Sequence, residues 1–414
     1  MVPALSAASG TAHPTIYLDN HATTRLDPRV LEAMLPWLTD HYGNAGSATH
    51  EQGREARAAV EAARESFAAV IGAVAREIVF TGGATESANL AILGLAARVH
   101  AATGTPGHVV TLATEHHAVL DPVAHLERQG VAVTRLAVVG QRGPGVPGRL
   151  QPGDLAAALR PDTFLVSVLL AHNEIGVVQD VPAIAALVHE RGAMLHVDCA
   201  QAVGRLPVNV DALGADLASF SAHKFHGPKG AGALFVRRRG RAVRIDPLVH
   251  GGGQERGLRS GTHDVPGIVG LATAAQLARD ALATEPDRLA ALRDRLWRRL
   301  AGAVPGIAIN GPPLDARDAD GRPLRLATNL NVRLPGVDGQ TLLATLSSAG
   351  LAVSSGSACS SETPRPSHVL LALGLDEDEA RASLRFGLSR FTTETEIDAA
   401  ADLVAGGVAA LRSR

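Results

Sequence analysis

Amine chemistry has only two candidate side chains in this sequence. Of the 39 lysines and arginines, two are lysines, Lys224 and Lys229, and both lie in Ser221-Ala222-His223-Lys224-Phe225-His226-Gly227-Pro228-Lys229-Gly230. Arginine replaces lysine wherever a solvated positive charge suffices, but its guanidinium keeps its proton and forms no ordinary Schiff base. A lysine that survives in so arginine-rich a chain points to a need for an amine, the group that condenses with a carbonyl substrate or with pyridoxal phosphate. Lys224 follows an apolar run at 217–220 that predicts a short buried strand, which puts it at a strand end, where α/β proteins place chemistry. Lys229 sits in a Gly-Pro-Lys-Gly turn ahead of a second strand at 232–236. We take Lys224 as the amine; Lys229 remains the alternative, or a turn lysine resting on backbone carbonyls.

Other segments could serve such an amine. Thr81-Gly82-Gly83-Ala84-Thr85-Glu86-Ser87 follows a predicted strand and opens a helix, so its amides could hold a phosphate or simply join the two elements. Asp198, in His196-Val197-Asp198-Cys199-Ala200-Gln201, stands just past an apolar strand, either as partner to a cofactor's pyridinium nitrogen or as a helix cap. Cys199 beside it reads as a small buried residue rather than a nucleophile. Thr114-Glu115-His116-His117 offers a histidine for proton transfer or for stacking on a cofactor; no carboxylate or cysteine set at ligand spacing accompanies it, so no metal is expected. Ser354-Ser355-Gly356-Ser357-Ala358-Cys359-Ser360-Ser361 carries a thiol in small, polar company, the setting of a nucleophile on a loop. Arg385, within the apolar Leu384-Arg385-Phe386, requires an anionic partner, whether a substrate carboxylate or a protein acid.

The elements that must position these groups follow from pattern. The 414 residues exceed one core's usual limit of about 250–300, so two domains are expected. Short apolar runs at 78–81, 109–113, 131–138, 164–170, 195–197 and 217–220 alternate with helical stretches such as 51–71 and 181–190. This alternation predicts a large, mainly parallel α/β sheet domain over 15–262. A helical run at 264–300 and a Pro/Gly/Asp-rich loop at 311–323 lead into a smaller α+β domain, 263–414 together with 1–14, which carries Cys359. Its strands are expected at 328–332 and 352–354, its helices at 339–348, 367–373 and 395–411.

A formal net charge of −2 gives no electrostatic reason for a nucleic-acid or membrane partner, and the arginine cluster at 237–244 reads as a solvated loop. No window reaches 18 apolar residues and the start lacks a targeting pattern, so a cytoplasmic protein is expected. Two cysteines build no disulfide framework.

Taken together, these segments resemble the cysteine desulfurases of the NifS/IscS type. The likeness runs from residue 16 to 411 and rests on Tyr17-Leu18-Asp19-Asn20-His21-Ala22-Thr23-Thr24, Gly83-Ala84-Thr85-Glu86-Ser87, Asn173-Glu174-Ile175-Gly176, Ser221-Ala222-His223-Lys224, Arg259-Ser260-Gly261-Thr262 and Ser354-Ser355-Gly356-Ser357-Ala358-Cys359. It implies a homodimer of PLP-dependent fold type I, with pyridoxal 5'-phosphate attached to Lys224. Asp198 would pair with the pyridine nitrogen, Gln201 contact the phenolic oxygen and His116 stack on the ring. Ala84, Thr85, Ser221 and His223 would hold the phosphate, and Thr262 would reach the phosphate in the other subunit. Asn173 and Arg385 would hold the carboxylate of L-cysteine. Cys359 would take the substrate sulfur as a persulfide, with L-alanine as the other product, and pass it to an acceptor protein such as an iron-sulfur scaffold or a thiolation factor. A selenocysteine lyase or another class V aminotransferase would share Lys224, Asp198 and the phosphate site. His172 stands where many relatives carry another residue, and the sequence ends at Arg414 without the tail that relatives use to dock a scaffold.

Overall fold

The computed structural model describes residues 15–355 and 365–413. Its strands are β1 Ile16–Tyr17, β2 Ile78–Thr81, β3 His108–Leu112, β4 Ala132–Leu136, β5 Thr163–Leu169, β6 Met194–Asp198, β7 Leu217–Ser221, β8 Gly232–Val236, β9 Ala308–Ile309, β10 Asn329–Arg333, β11 Leu351–Ala352 and β12 Ser383–Gly387. Seven form one sheet in the order β2-β8-β7-β6-β5-β3-β4, with β8 antiparallel to both its neighbours and the other pairings parallel.

Neighbouring residues of these strands point to opposite faces, and both faces are covered. Val109, Leu165, Leu217 and Leu234 pack with the helices Ala84–Thr103 and His117–Arg128. Val110, Val166, Ala218 and Phe235 pack on the other side with the helices Glu51–Val70, Val181–Glu190 and Val265–Ala281. A sheet buried on both sides needs apolar residues at successive positions, which is why the strands read as short unbroken runs. The result is the expected α/β architecture with a mixed, mainly parallel sheet.

A second core surrounds the antiparallel sheet β12-β10-β9 and the parallel pair β1-β11. Leu330, Leu384 and Phe386 meet Leu292 and Leu296 of the helix Glu285–Ala303 and Val404 of the helix Glu394–Arg412. The helical run expected over 264–300 is two helices, broken at residues 282–284. Pro286 opens the second; it has no N–H to bond a preceding turn and its ring crowds the carbonyl four residues back. The sequence places the domain division after residue 262, but the helix Val265–Ala281 buries Ile268, Leu271 and Ala275 in the core of the large sheet. We propose that the division falls at 282–284 and that β1 lies with the smaller unit.

The parallel strands end together on one edge of the large sheet. β2 runs into Gly82–Gly83, β3 into Glu115–His116, β6 ends on Asp198 and β7 leads into His223–Lys224. The segment 19–24, which follows β1, reaches this edge, bridged to Gly387 at Asp19 and bonded to the His223 carbonyl through Thr24 N at 3.0 Å.

The turn after β2 depends on a bare backbone beside it. A Cβ on Gly232 would lie 2.4 Å from Gly83 Cα and 2.7 Å from the Phe220 oxygen. Gly232→Ala is therefore expected to destabilise the protein by about 1–3 kcal/mol and to weaken cofactor binding by displacing the Gly83 turn. Thermal unfolding together with a cofactor titration checks this; a variant with unchanged Tm and affinity contradicts it.

Candidate active site

Gly83 precedes the helix Ala84–Thr103 at φ 146°, ψ 178°, a conformation that costs glycine little and other residues much. The turn is braced from below: Thr81 Oγ1 bonds Ser87 Oγ at 2.7 Å and donates to the Gly83 carbonyl at 3.2 Å. Gly82 N donates to Glu86 Oε2 at 2.6 Å, and Arg259 holds Glu86 at 2.8 Å. No side chain caps this helix, so its first amides, at Ala84 and Thr85, open toward a cavity of about 460 Å³. Ser221 and His223 line the same end. Burial, with Lys224 second, lowers His223 to about 4, and the ring bonds Thr23 Oγ1 at 3.1 Å.

Lys224 enters the cavity from the turn after β7. Its Nζ donates to the carbonyls of His21 at 2.6 Å and Ala22 at 2.7 Å. Burial, then the positive charges of Arg205 and Arg385, lowers its pKa from 10.5 to about 8, against the opposing pull of Asp19 and Asp198. Lys229 also lines the cavity, but it is exposed.

Asp198 is buried at the end of β6, with Oδ1 accepting from Ala200 N at 2.8 Å. The Asp198 carboxyl is raised above the usual range by burial, a shift that Ala200 N–H, His116 and Lys224 oppose. Its role as a cap and its place in the cavity wall coexist, since one oxygen suffices for the cap. His116 begins the helix His117–Arg128; its Nδ1 accepts from Ala118 N at 3.1 Å, so a neutral ring carries its proton on Nε2. Burial lowers its pKa, and Asp198 acts against that shift. Gln201 lines the cavity with its amide oriented by neighbours: Oε1 accepts from Arg205 Nη1 at 2.6 Å and Nε2 donates to the His21 carbonyl at 2.9 Å.

The cavity thus brings together Ala84, Thr85, His116, Asn173, Asp198, Gln201, Ser221, His223 and Lys224 from the sequence-derived set. Two of that set stand elsewhere. Arg385 is buried behind the wall, its Nη2 on Asp19 Oδ1 at 2.7 Å and its Nη1 on the Asn173 carbonyl at 3.4 Å, while Nε has no partner among the described residues. Of the two partners its burial left open, the structure supplies a protein acid. Thr262 is exposed and outside the cavity wall. Cys359 lies outside the described residues. Both flanks of its segment attach near the site. Ser354 pairs with Arg385 backbone to backbone, N···O 2.6 and 3.3 Å, and Ser367 Oγ donates to Glu174 Oε2 at 2.6 Å. Cys199 is buried and burial raises its thiol, so it is the inert cysteine its apolar setting predicts.

Sequence reading gave no role to His21, Glu115, His172 or Arg205. His21 and His172 lie in motifs quoted above or beside them, but only the folded chain pairs them. His172 bonds the Thr114 carbonyl at 2.8 Å and accepts from Glu174 N at 2.9 Å, tying the Asn173 turn to the end of β3. Glu115 accepts from Leu169 N at 2.9 Å, and burial followed by Asp198 raises its carboxyl well above the usual range.

Comparison with known proteins bears on the family and the fold. The family model described as aminotransferase class-V matches residues 16–400. Cysteine desulfurase IscS of Anaeromyxobacter dehalogenans is 50% identical over 397 residues, covering 96% of this chain and 93% of the relative. Cysteine desulfurase IscS of Escherichia coli O139:H28 is 48% identical over 400 residues, covering 96% and 93%. A solved NifS-like protein superposes with a TM-score of 0.84 at 38% identity, covering 95% of this chain and 98% of that one. By its residues, its fold and its relatives, the chain belongs to the class-V aminotransferase family, among the cysteine desulfurases of the NifS and IscS type.

Proposed function

We propose that the cavity around Lys224 is where this cysteine desulfurase, a pyridoxal-phosphate-dependent sulfurtransferase, converts L-cysteine to L-alanine and bound sulfur. The observation that carries the assignment of roles is Lys224 itself, an amine with lowered proton affinity facing a buried carboxylate in a cavity that opens on an uncapped helix N-terminus. The residues present fit the cofactor. The free amides at Ala84 and Thr85, with Ser221 and His223, suit a phosphate, and Asp198 keeps one oxygen uncommitted for a pyridinium nitrogen. Bound there, pyridoxal phosphate supplies a carbonyl that condenses with amines and a ring that withdraws electrons.

Lys224 holds the cofactor until substrate arrives and afterwards moves protons at the substrate carbons. His116, whose neutral ring carries its proton on Nε2, would lie against a bound ring and could share that transfer. Gln201 faces the phenolic oxygen as a donor. Asn173 contacts the substrate carboxylate from the wall, with the spare Nε of Arg385 behind it as the matching cation. The Cys359 thiolate takes the sulfur, giving a persulfide as the Cβ–S bond breaks. The described residues that flank its segment are tied near the site at Ser354 and Ser367. Thr262, exposed on the surface, suits contact with a second subunit's phosphate in a homodimer. The sulfur then passes to an acceptor protein of iron-sulfur cluster, thio-cofactor or tRNA thiolation chemistry. Among the described residues no helix is long and apolar enough to cross a membrane, in keeping with action in the cytoplasm.

With added pyridoxal phosphate and a thiol reductant, the wild type is expected to release alanine and sulfide from L-cysteine in equal amounts. Cys359→Ala should lower both on the order of 100-fold or more while keeping its cofactor. Unchanged turnover in that variant would remove Cys359 from the mechanism.

The protonation of Lys224 adds a pH test. Only the neutral amine attacks the cofactor, and it forms as pH rises. The rate at which the apoprotein captures pyridoxal phosphate should therefore climb about tenfold per unit below pH about 8 and level off above it. A rate still climbing at pH 10 contradicts the lowered value.

A further inference from the structure

Arg205 sits just beyond the cavity wall, in the turn that follows Gln201, and its guanidinium is spent on the site's framework. Nη1 donates to Gln201 Oε1 at 2.6 Å and to the Gln201 carbonyl at 3.2 Å. Nη2 donates to the Asn20 carbonyl at 3.1 Å and to the Lys224 carbonyl at 3.0 Å. Every acceptor is neutral, and among the described residues Arg205 forms no ion pair. Burying a guanidinium without a carboxylate is costly, and the cost is lowered only when negative charge enters nearby.

We propose that Arg205 is a positioning residue whose cation, fixed on the Lys224 carbonyl, disfavours the ammonium form of Lys224 and whose N–H groups orient Gln201 so that its Nε2 group is directed toward the cofactor's phenolic oxygen. The proposal rests on the reading of Lys224 as the cofactor's amine and adds to it a charge that, after burial, biases its protonation.

Two lines of geometry support it. Gln201 Oε1 receives the Arg205 N–H, so the amide cannot turn over without setting two donors against each other. The Nε2 group is thereby committed as a donor, one hydrogen on the His21 carbonyl at 2.9 Å and the other free for the cavity. The same His21 carbonyl accepts from Lys224 Nζ at 2.6 Å, so one backbone oxygen locks both groups in place. For Lys224, Arg205 is a half-buried positive charge fixed to its own carbonyl.

The charges facing Lys224 come from several elements. Asp198 at the end of β6 and Asp19 favour its ammonium form; Arg205 and Arg385 oppose it, after burial. His21 and His223 are kept neutral, chiefly by burial. Arg385 has Asp19 at 2.7 Å to offset it, whereas Arg205 has no such partner, which makes Arg205 the larger uncompensated source. Burial lowers Arg205 itself only to about 10, so it stays a cation at neutral pH.

The chain's two lysines make the test direct. Reductive methylation of the full-length apoprotein with ¹³C-formaldehyde labels Lys224, Lys229 and the α-amine, and NMR follows each signal against pH. In Arg205→Met and Arg205→Gln the Lys224 signal is expected to titrate about one unit higher, with Lys229 unmoved. Arg205→Lys, which keeps the charge, should titrate as wild type. A Lys224 titration unchanged in whichever uncharged variant retains the native Lys229 signal overturns the proposal. Lys224→Arg, mixed with pyridoxal phosphate, tests the underlying reading separately. If its lysine-bound absorbance persists, Lys224 is not the cofactor's amine, and that result is independent of where Lys224 titrates.

Discussion

The contact between Lys224 Nζ and the two carbonyls of His21 and Ala22, at 2.6 and 2.7 Å, is the point on which the rest of the structure converges. It joins a turn of the large sheet to the segment that follows β1. Backbone carbonyls hold an amine without neutralising it, so the lysine is fixed in place while its proton remains easy to lose. A carboxylate in that position would bind the ammonium form and spoil the amine for condensation. The site instead keeps its acids one step away, Asp198 in the cavity wall and Asp19 on Arg385.

The architecture follows from that need. Parallel strands with both faces buried bring their ends to one edge, so Gly83, His116, Asp198 and Lys224, separated by up to 141 positions in the chain (224 − 83), share one cavity. The antiparallel β8 lies between β2 and β7, and its missing side chain at Gly232 lets the Gly83 turn approach the lysine strand. The segment 19–24 closes the floor, held by Thr24 to the His223 carbonyl and by Asp19 to Arg385. Among the described residues Arg205 has carbonyl and amide oxygens as partners and no ion pair, and a cofactor bearing phosphate and phenolate would complement that charge.

Much of this was legible in the sequence. The strand ends carrying Asp198 and Lys224, the glycine turn at 82–83 and the apolar runs of the two-faced sheet are local patterns, and local patterns survive folding. The break at 282–284 was not read because the helical period continues across it; only the ring of Pro286 stops the helix. The Asp19 partner of Arg385 lies 366 positions away and the His21 partner of Gln201 lies 180 away, distances at which spacing carries no signal. Arg205 was hidden by its own abundance: nothing in the sequence marks it among 37 arginines. The resemblance to a known family supplied Asn173, Gln201 and Thr262, which residue types and spacing alone leave unmarked.

The central claim is that Lys224 is the amine that binds the cofactor. Borohydride reduction of the loaded enzyme fixes the cofactor to its lysine, and peptide mass mapping locates it among only two possible lysines. The account predicts the label on the peptide containing Lys224 and none on that containing Lys229. Label on Lys229, or no labelled lysine in an active preparation, contradicts it.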